Sequence, residues 1–236
     1  MTEIISNEDQ EEIYKKAAYL IASAIRDMLQ NKDYAVFAVP GGRSVARIFS
    51  KLKRTNVPWK QVHIFMVDER LVPLESPDSN FKLANDYFIR ELISEGKLPE
   101  GNVHPFHNTA SADHGTESYA EELKKLGGAY DIVLLSSGED GHIGALYPNH
   151  HSIRDDSEYY IWMSDSPKPP ARRMSMSRKL LLRAKVAIVL FIGEAKREAY
   201  IRFHDKKIKF SSCPVKLVND IKEAYAITDI RWKKEN

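Results

Sequence analysis

The sequence predicts an α/β protein, a single doubly wound domain spanning residues 1–236 around a mostly parallel central sheet. Three observations carry that expectation. Short continuous apolar runs recur at Tyr34–Val39, Val62–Val67, Tyr130–Leu135 and Lys185–Ile192, as strands buried on both faces require. Between them lie stretches with apolar side chains at helical spacing, so parallel β-α-β packing is the economical arrangement. No stretch reads as an interdomain linker, and no segment repeats.

Taken in order, the chain opens with an amphipathic helix from about Asn7 to Asn31, with Ile13, Ala17, Leu20, Ile21, Ala24, Ile25 and Met28 opposite a charged face. The strand Tyr34–Val39 stops at Pro40-Gly41-Gly42, after which Ser44 is expected to cap a helix carrying Val45, Ile48, Phe49 and Leu52. Val62–Val67 is a second strand, and a helix over Asn80–Ile93 follows a polar loop, with Asp78-Ser79-Asn80 as its cap. Ala112–Leu126 reads as a helix, Tyr130–Leu135 as a strand, and Lys185–Ile192 as the most strongly β-like run. A helix from about Glu194 to Phe203 follows, and Val215–Ile227 supplies the last elements. Asn149–Glu158 is polar, and the prolines of Ser166–Pro170 forbid regular helix, so both are expected as loops.

Composition narrows the function. Hydrophobic residues make up 43% and charged residues 29%, ordinary values for a packed protein. Lys plus Arg number 35 against 33 Asp plus Glu, a net charge of +2, so nothing global points to nucleic acid or a membrane surface, and any affinity for anions must be local. The single cysteine, Cys213, excludes an intrachain disulfide and reads as a small buried hydrophobe. The N-terminus lacks the layout of a secretory signal or transit peptide, and no stretch approaches a membrane span, so a cytoplasmic location is expected.

In open α/β sheets ligands bind beyond the carboxyl ends of the strands. Four loops fall there: Pro40-Gly41-Gly42-Arg43-Ser44, Asp68-Glu69-Arg70, Gly138-Glu139-Asp140-Gly141-His142 and Gly193-Glu194-Ala195-Lys196. The glycines of the first let backbone N–H groups approach an anion at a helix N-terminus, and a phosphate fits there. The loop is neither a Walker A sequence nor a full GxGxxG. Arg70 can fork onto a phosphate or orient a carboxylate, or simply belong to a surface salt-bridge cluster. His142, in a glycine-flanked turn behind an acid pair, can take a proton from water near neutrality. Arg172, Arg173 and Lys179 gather after the Pro-rich loop, and Lys196 follows the strongest strand; these cations gain meaning only if they converge on a phosphate. No metal is expected, because His104, His107, His114, His150 and His151 form no recognised ligand motif. A Ser-His-Asp hydrolase is disfavoured, since no GxSxG elbow occurs.

Together the loops resemble the 6-phosphogluconolactonase family, within a wider group that also holds glucosamine-6-phosphate isomerase/deaminase. The resemblance rests on VPGGRSVARIF near position 40, VDERLVPLESPDSNF from Val67, DIVLLSSGEDGHIGALYP from Asp131, PPARRMSMS from Pro169 and VAIVLFIGEAKREAY from Val186. It implies a Rossmann-like fold, no cofactor and no metal, a sugar-phosphate substrate, and lactone hydrolysis in the pentose phosphate pathway; the oligomeric state is left open by the sequence, with a monomer favoured. Carried over by position, it implies that Gly41, Gly42, Arg43 and Ser44 form the phosphate loop and that Arg70, Arg173 and Lys196 supply positive charge. His142 is then the general base activating water, with Asp68 or Asp140 orienting its ring.

The chain also departs from the family pattern. Leu135-Ser136-Ser137-Gly138 stands where Leu-Gly-x-Gly is usual, Arg43-Ser44 replaces the commoner Ser-Thr, and His142-Ile143-Gly144 resembles the deaminase side of the group. Against a deaminase, Asp68-Glu69-Arg70 and Leu146-Tyr147-Pro148 stand where Asp-Glu-Tyr and Asn-Glu-Pro are expected. A sugar-phosphate sensor that kept the pocket and lost turnover is the remaining alternative, and Ser136 and Ser137 are the residues that favour it.

Overall fold

The structure, a computed structural model, describes residues 2–108 and 112–231, with side chains throughout these except at 112–114, so His114 lies outside the described side chains. Strand β1 (Glu3–Ser6) precedes the long helix α1 (Gln10–Leu29), whose Asp9 cap accepts the amides of Glu11 and Glu12. The helix holds the whole apolar stripe and is shorter than the expected span of about Asn7 to Asn31, because Asp9 caps it at one end and Gln30 at the other. There follow β2 (Ala35–Val39), α2 (Arg43–Leu52), β3 (Val62–Met66), β4 (Asp68–Arg70) and α3 (Asn80–Ala84). A π-helical turn (Asn85–Ile89) joins α3 to α4 (Arg90–Ser94), so the expected helix forms with one widened turn that buries Phe88 and Ile89. Then come β5 (Val103–His104), α5 (Ala112–Lys125), β6 (Ile132–Ser136), β7 (Tyr160–Met163), β8 (Arg173–Met176), α6 (Arg178–Leu182), β9 (Val186–Phe191), α7 (Arg197–His204) and β10 (Glu223–Thr228).

Seven strands form one parallel sheet in the order β1-β10-β9-β6-β2-β3-β5, as the apolar runs predicted. Residues of β2, β6 and β9 are buried almost throughout because helices cover both faces. From β2 the chain builds outward through β3 to β5, then returns to the other side of β2 with β6 and builds outward through β9 to β10. The direction reverses between β2 and β6, and the crevice beyond their carboxyl ends is where a doubly wound sheet opens to a ligand. At the opposite end of β6, buried Asp131 accepts the Val36 amide at 2.9 Å and pairs with Lys32 and Lys185, fixing β6 beside β2. No helix among the described residues is long and apolar enough to cross a membrane.

Two expectations need correction. Ser44 does not cap α2: Gly42, at φ +116°, occupies that position and no side chain caps the helix, so Ser44 lies within the first turn. Asp68–Arg70 and the segment around Arg173 were expected as loops, yet they pair antiparallel as β4 and β8 and, with β7, build a second three-stranded sheet. Strands of three and four residues carry no periodicity of their own, and each finds its partner about a hundred residues away in sequence.

Candidate active site

A cleft of about 320 Å³ opens at the crevice between β2 and β6. That size sits at the lower end of ordinary ligand pockets, which run from roughly 300 to 1,000 Å³. Its walls include Gly41 and Gly42 after β2, Asp68 and Arg70 on β4, Ser136 to Glu139 and His142 after β6, and Lys196 after β9. All four loops singled out in the sequence therefore meet.

The turn after β6 is built around His142. Gly138 donates its amide to the His142 carbonyl at 2.8 Å, and Gly141, at φ +87°, donates to the Gly138 carbonyl at 3.1 Å, closing the chain into a tight loop. Inside it, Asp140 Oδ1 lies 2.6 Å from His142 Nδ1 and accepts the His142 amide at 3.1 Å. Burial pushes the Asp140 carboxyl up, but its bonds to His142 and the nearby Lys168 ammonium outweigh this and hold it well below the usual carboxylate range. An ionised carboxylate only accepts, so Nδ1 is assigned the proton, which leaves Nε2 as the acceptor of the neutral ring; His142 itself lines the cleft. Of the two acids considered for orienting this ring, Asp140 makes the contact; Asp68 instead sits 3.9 Å from Arg173. A Cβ at Gly138 would come within 2.0 Å of His142 Nδ1, so a side chain there displaces the imidazole.

At the β2 end, α2 begins with neither a side-chain cap nor an acidic residue in its first turn. Its first amides are left for a ligand, and the helix dipole favours an anion there. Gly41 is equally constrained, because a Cβ would meet Asn80 Oδ1 at 1.9 Å. Lys196, half-buried, faces this end: burial lowers its pKa, Glu139 and Asp140 raise it, and Lys168 and Arg43 lower it. Arg43 and Ser44 begin α2 without lining the cleft, and Arg43 is exposed.

The second sheet supplies the opposite wall. Pleating turns Asp68 and Arg70 to one face and Glu69 to the other, where its buried carboxylate accepts the amides of Asn80 and Phe81 and the hydroxyl of Ser79, capping α3. Burial raises the Glu69 carboxyl against those amides, with Asp68 adding to the rise. Arg70 and Arg173 stand directly opposite each other across β4 and β8. Like charges so placed repel, and the pair persists at a place suited to an anion. Burial first, and Arg70 second, lower the Arg173 pKa. Arg173 donates Nε to the Pro170 carbonyl at 2.8 Å and Nη2 to that of Pro169 at 2.8 Å, so it holds the Pro-rich loop. Arg70 donates to the Asp78 carbonyl at 2.6 Å, while its buried Nε has no hydrogen-bond partner among the described residues.

Not every expected cation converges. Lys179 pairs with Glu158 at 2.8 Å and Asp156 at 3.1 Å away from the cleft, and Arg172 is exposed outside it. Three lining residues went unread in the sequence. Asn80 donates to the Asp68 carbonyl at 2.9 Å, Tyr147 packs its ring 4.9 Å from that of His142, and Lys168 projects from the Pro-rich loop. Only the proline signal hinted at an ordered loop for Lys168; the other two reach the cleft through tertiary packing. Cys213 is buried as expected, with Sγ against Gly141.

The arrangement can hold a small anionic ligand between an open helix end and several cations, beside an imidazole able to accept a proton. The sequence profile described as "Glucosamine-6-phosphate isomerases/6-phosphogluconolactonase" matches residues 8–227. The chain belongs to this family. A 6-phosphogluconolactonase from Borreliella burgdorferi is 30% identical over 207 residues, covering 87% of this chain and 88% of its own. The crystal structure of 6-phosphogluconolactonase from Thermotoga maritima superposes with a TM-score of 0.84 at 25% identity, over 97% of this chain and 99% of that one. A monomeric glucosamine-6-phosphate deaminase shares the fold at a TM-score of 0.81 and 18% identity, so the fold of the glucosamine-6-phosphate isomerase/6-phosphogluconolactonase family does not by itself separate its two chemistries.

Proposed function

We infer that this chain hydrolyses 6-phospho-D-glucono-1,5-lactone to 6-phospho-D-gluconate, a step of the pentose phosphate pathway. The observation that carries the mechanism is the His142–Asp140 contact at 2.6 Å, which leaves Nε2 as the base on the cleft side. His142 Nε2 takes a proton from water as its oxygen attacks the lactone carbonyl carbon. The tetrahedral intermediate collapses, the ring C–O bond breaks, and the imidazolium returns the proton to the departing oxygen. Asp140 holds the ring in the required tautomer and stabilises its charged form. General-base assistance of this kind contributes ~10² to 10⁴ in rate.

The phosphate sits at the open N-terminus of α2, against Gly41, Gly42 and Lys196, with Arg43 and Ser44 in the helix turn beside it. Arg70 and Asp68 face the sugar, and Arg173 holds the wall behind them. The relatives named as lactonases support the reaction, and the absence of an acid at Tyr147 weighs against a deaminase. Ser136 and Ser137 both line the cleft, Ser137 donating its hydroxyl to the Gly138 carbonyl at 2.9 Å, and the two side chains do not close it, which weighs against a sensor. The chain is proposed to work in the cytoplasm as a single-domain monomer.

The test is hydrolysis of freshly generated lactone above its spontaneous rate, followed by NMR, with glucosamine 6-phosphate deamination assayed in parallel. Rapid lactone loss abolished in His142→Ala is expected. Tight 6-phosphogluconate binding without acceleration would return the chain to the sensor reading.

A further inference from the structure

Behind the cleft wall, two loops bring together His150, His151 and Asp165, whose candidate ligand atoms all lie within 4.8 Å of one another. His151 Nε2 is 2.9 Å from Asp165 Oδ1, and His150 Nε2 is 3.6 Å from Asp165 Oδ2. The His150 Nε2 atom is buried and has no hydrogen-bond partner among the described residues. A buried ring nitrogen left unpaired is costly in either protonation form, and a cation that replaces a proton there relieves that cost.

The spacing suits a metal. Bonds of about 2.0–2.1 Å at tetrahedral angles place neighbouring ligand atoms roughly 3.3 to 3.5 Å apart. The two imidazoles approach different oxygens of the same carboxylate, His150 at Oδ2 and His151 at Oδ1, and with all three ligand atoms within 4.8 Å of one another a modest shift of the two exposed side chains closes them around one ion. Two imidazoles and one carboxylate favour a borderline first-row ion over Mg²⁺ or Ca²⁺, which prefer all-oxygen sets. The supporting contacts are also present. His150 Nδ1 lies 3.0 Å from Ser152 Oγ, which accepts the Tyr147 amide, and the ring stands edge-on to Tyr147. Coordination through Nε2 puts the Nδ1 proton onto Ser152 Oγ, whereas the uncoordinated ring can accept the Ser152 amide at 3.2 Å.

We propose that His150, His151 and Asp165 bind a zinc-like divalent cation, with solvent in the fourth position, at a site separate from His142. None of the three lines the cleft. Their positions nonetheless tie its walls together. Asp165 precedes Ser166, whose hydroxyl contacts Tyr147 Oη and the Lys168 carbonyl, both at 2.9 Å. A bound ion therefore fastens the loop carrying Lys168 to the segment carrying Tyr147.

The test is titration of the full chain with Co²⁺, read by its visible ligand-field absorption and by calorimetry, with Zn²⁺ displacing it. Saturable binding of one ion per chain is expected, with affinity falling at least about tenfold in His151→Ala and in Asp165→Asn. Zn²⁺ should raise the melting temperature of the parent and not of these variants. Both substituted side chains are exposed, at 57% and 62%, so the variants keep the fold. His63→Gln, which alters a different histidine cluster, should bind as the parent does. No saturable binding at millimolar Co²⁺, or binding unchanged in both variants, would overturn the site. These readouts do not depend on lactone turnover.

Discussion

Asp140 Oδ1 bridges the side chain and the backbone of His142, reaching Nδ1 at 2.6 Å and the amide at 3.1 Å. One oxygen thereby fixes the tautomer of the ring and its place on the turn. Asp140→Asn should lower kcat by about 10²-fold or more with little change in KM, because the amide no longer enforces a proton on Nδ1. The double variant with His142→Ala should be no slower than His142→Ala alone, since the two residues act as a unit. Initial rates of lactone loss by NMR measure both, and additive losses would separate the residues.

Gly138 and Gly96 form a matched pair. A Cβ at Gly138 overlaps His142 Nδ1 and comes within 2.7 Å of Asp140 Oδ1, whereas at Gly96, with φ +67°, nothing lies within 4 Å. Gly138→Ala should abolish turnover while leaving the fold, as the imidazole swings aside. Gly96→Ala should cost about 1 kcal/mol through its left-handed backbone and leave turnover intact. Thermal melts beside activity assays decide this.

Lys196 tests the phosphate end. Lys196→Gln should raise KM for the phosphorylated lactone about tenfold and leave the slow hydrolysis of unphosphorylated gluconolactone unchanged, with the parent's KM rising in salt where the variant's does so less. Equal losses on both substrates would place Lys196 with the chemistry instead.

Glu69 tests the capping of α3. Its carboxylate accepts the amides of Asn80 at 2.8 Å and Phe81 at 2.7 Å. Glu69→Ala should destabilise the fold by about 1–3 kcal/mol in urea unfolding, because buried donors lose their acceptor.

Acid should unfold the edge of the sheet near β5. His63 Nδ1 lies 3.0 Å from His104 Nε2, and His104 Nδ1 lies 3.0 Å from Glu122. Burial, foremost, lowers both histidines below their ordinary value; His104 adds to this at His63, while Glu122 opposes it at His104. The unfolded chain therefore binds more protons, and stability complete above about pH 6.5 is lost as pH falls toward the lower folded-state values. Urea unfolding at neutral and mildly acidic pH should show this loss, and His63→Gln should reduce it.

Much of this was legible in the chain itself where local pattern decides structure. The runs that became β2, β3, β6 and β9 are continuous and apolar, and the turn holding Asp140 and His142 spans five residues. The second sheet was not legible, because β4 and β8 are short and find each other only through the fold. The same reason hid Asn80 and Tyr147, which reach the cleft from a helix start and a loop. Ser44 was misplaced because Gly42 adopts a backbone angle that begins the helix two residues earlier. The His150–Asp165 approach joins residues fifteen apart in sequence, beyond any local motif.

Arg173 grips the Pro-rich loop through the carbonyls of Pro169 and Pro170, and also reaches that of Lys168. Every one of these contacts reads main chain and ignores the side chain at position 168. The loop is thus a fixed bracket with an interchangeable tip. Substitution at 168 can alter which ligands the cleft accepts without reshaping the wall that presents them, so selectivity and architecture are free to evolve at different rates.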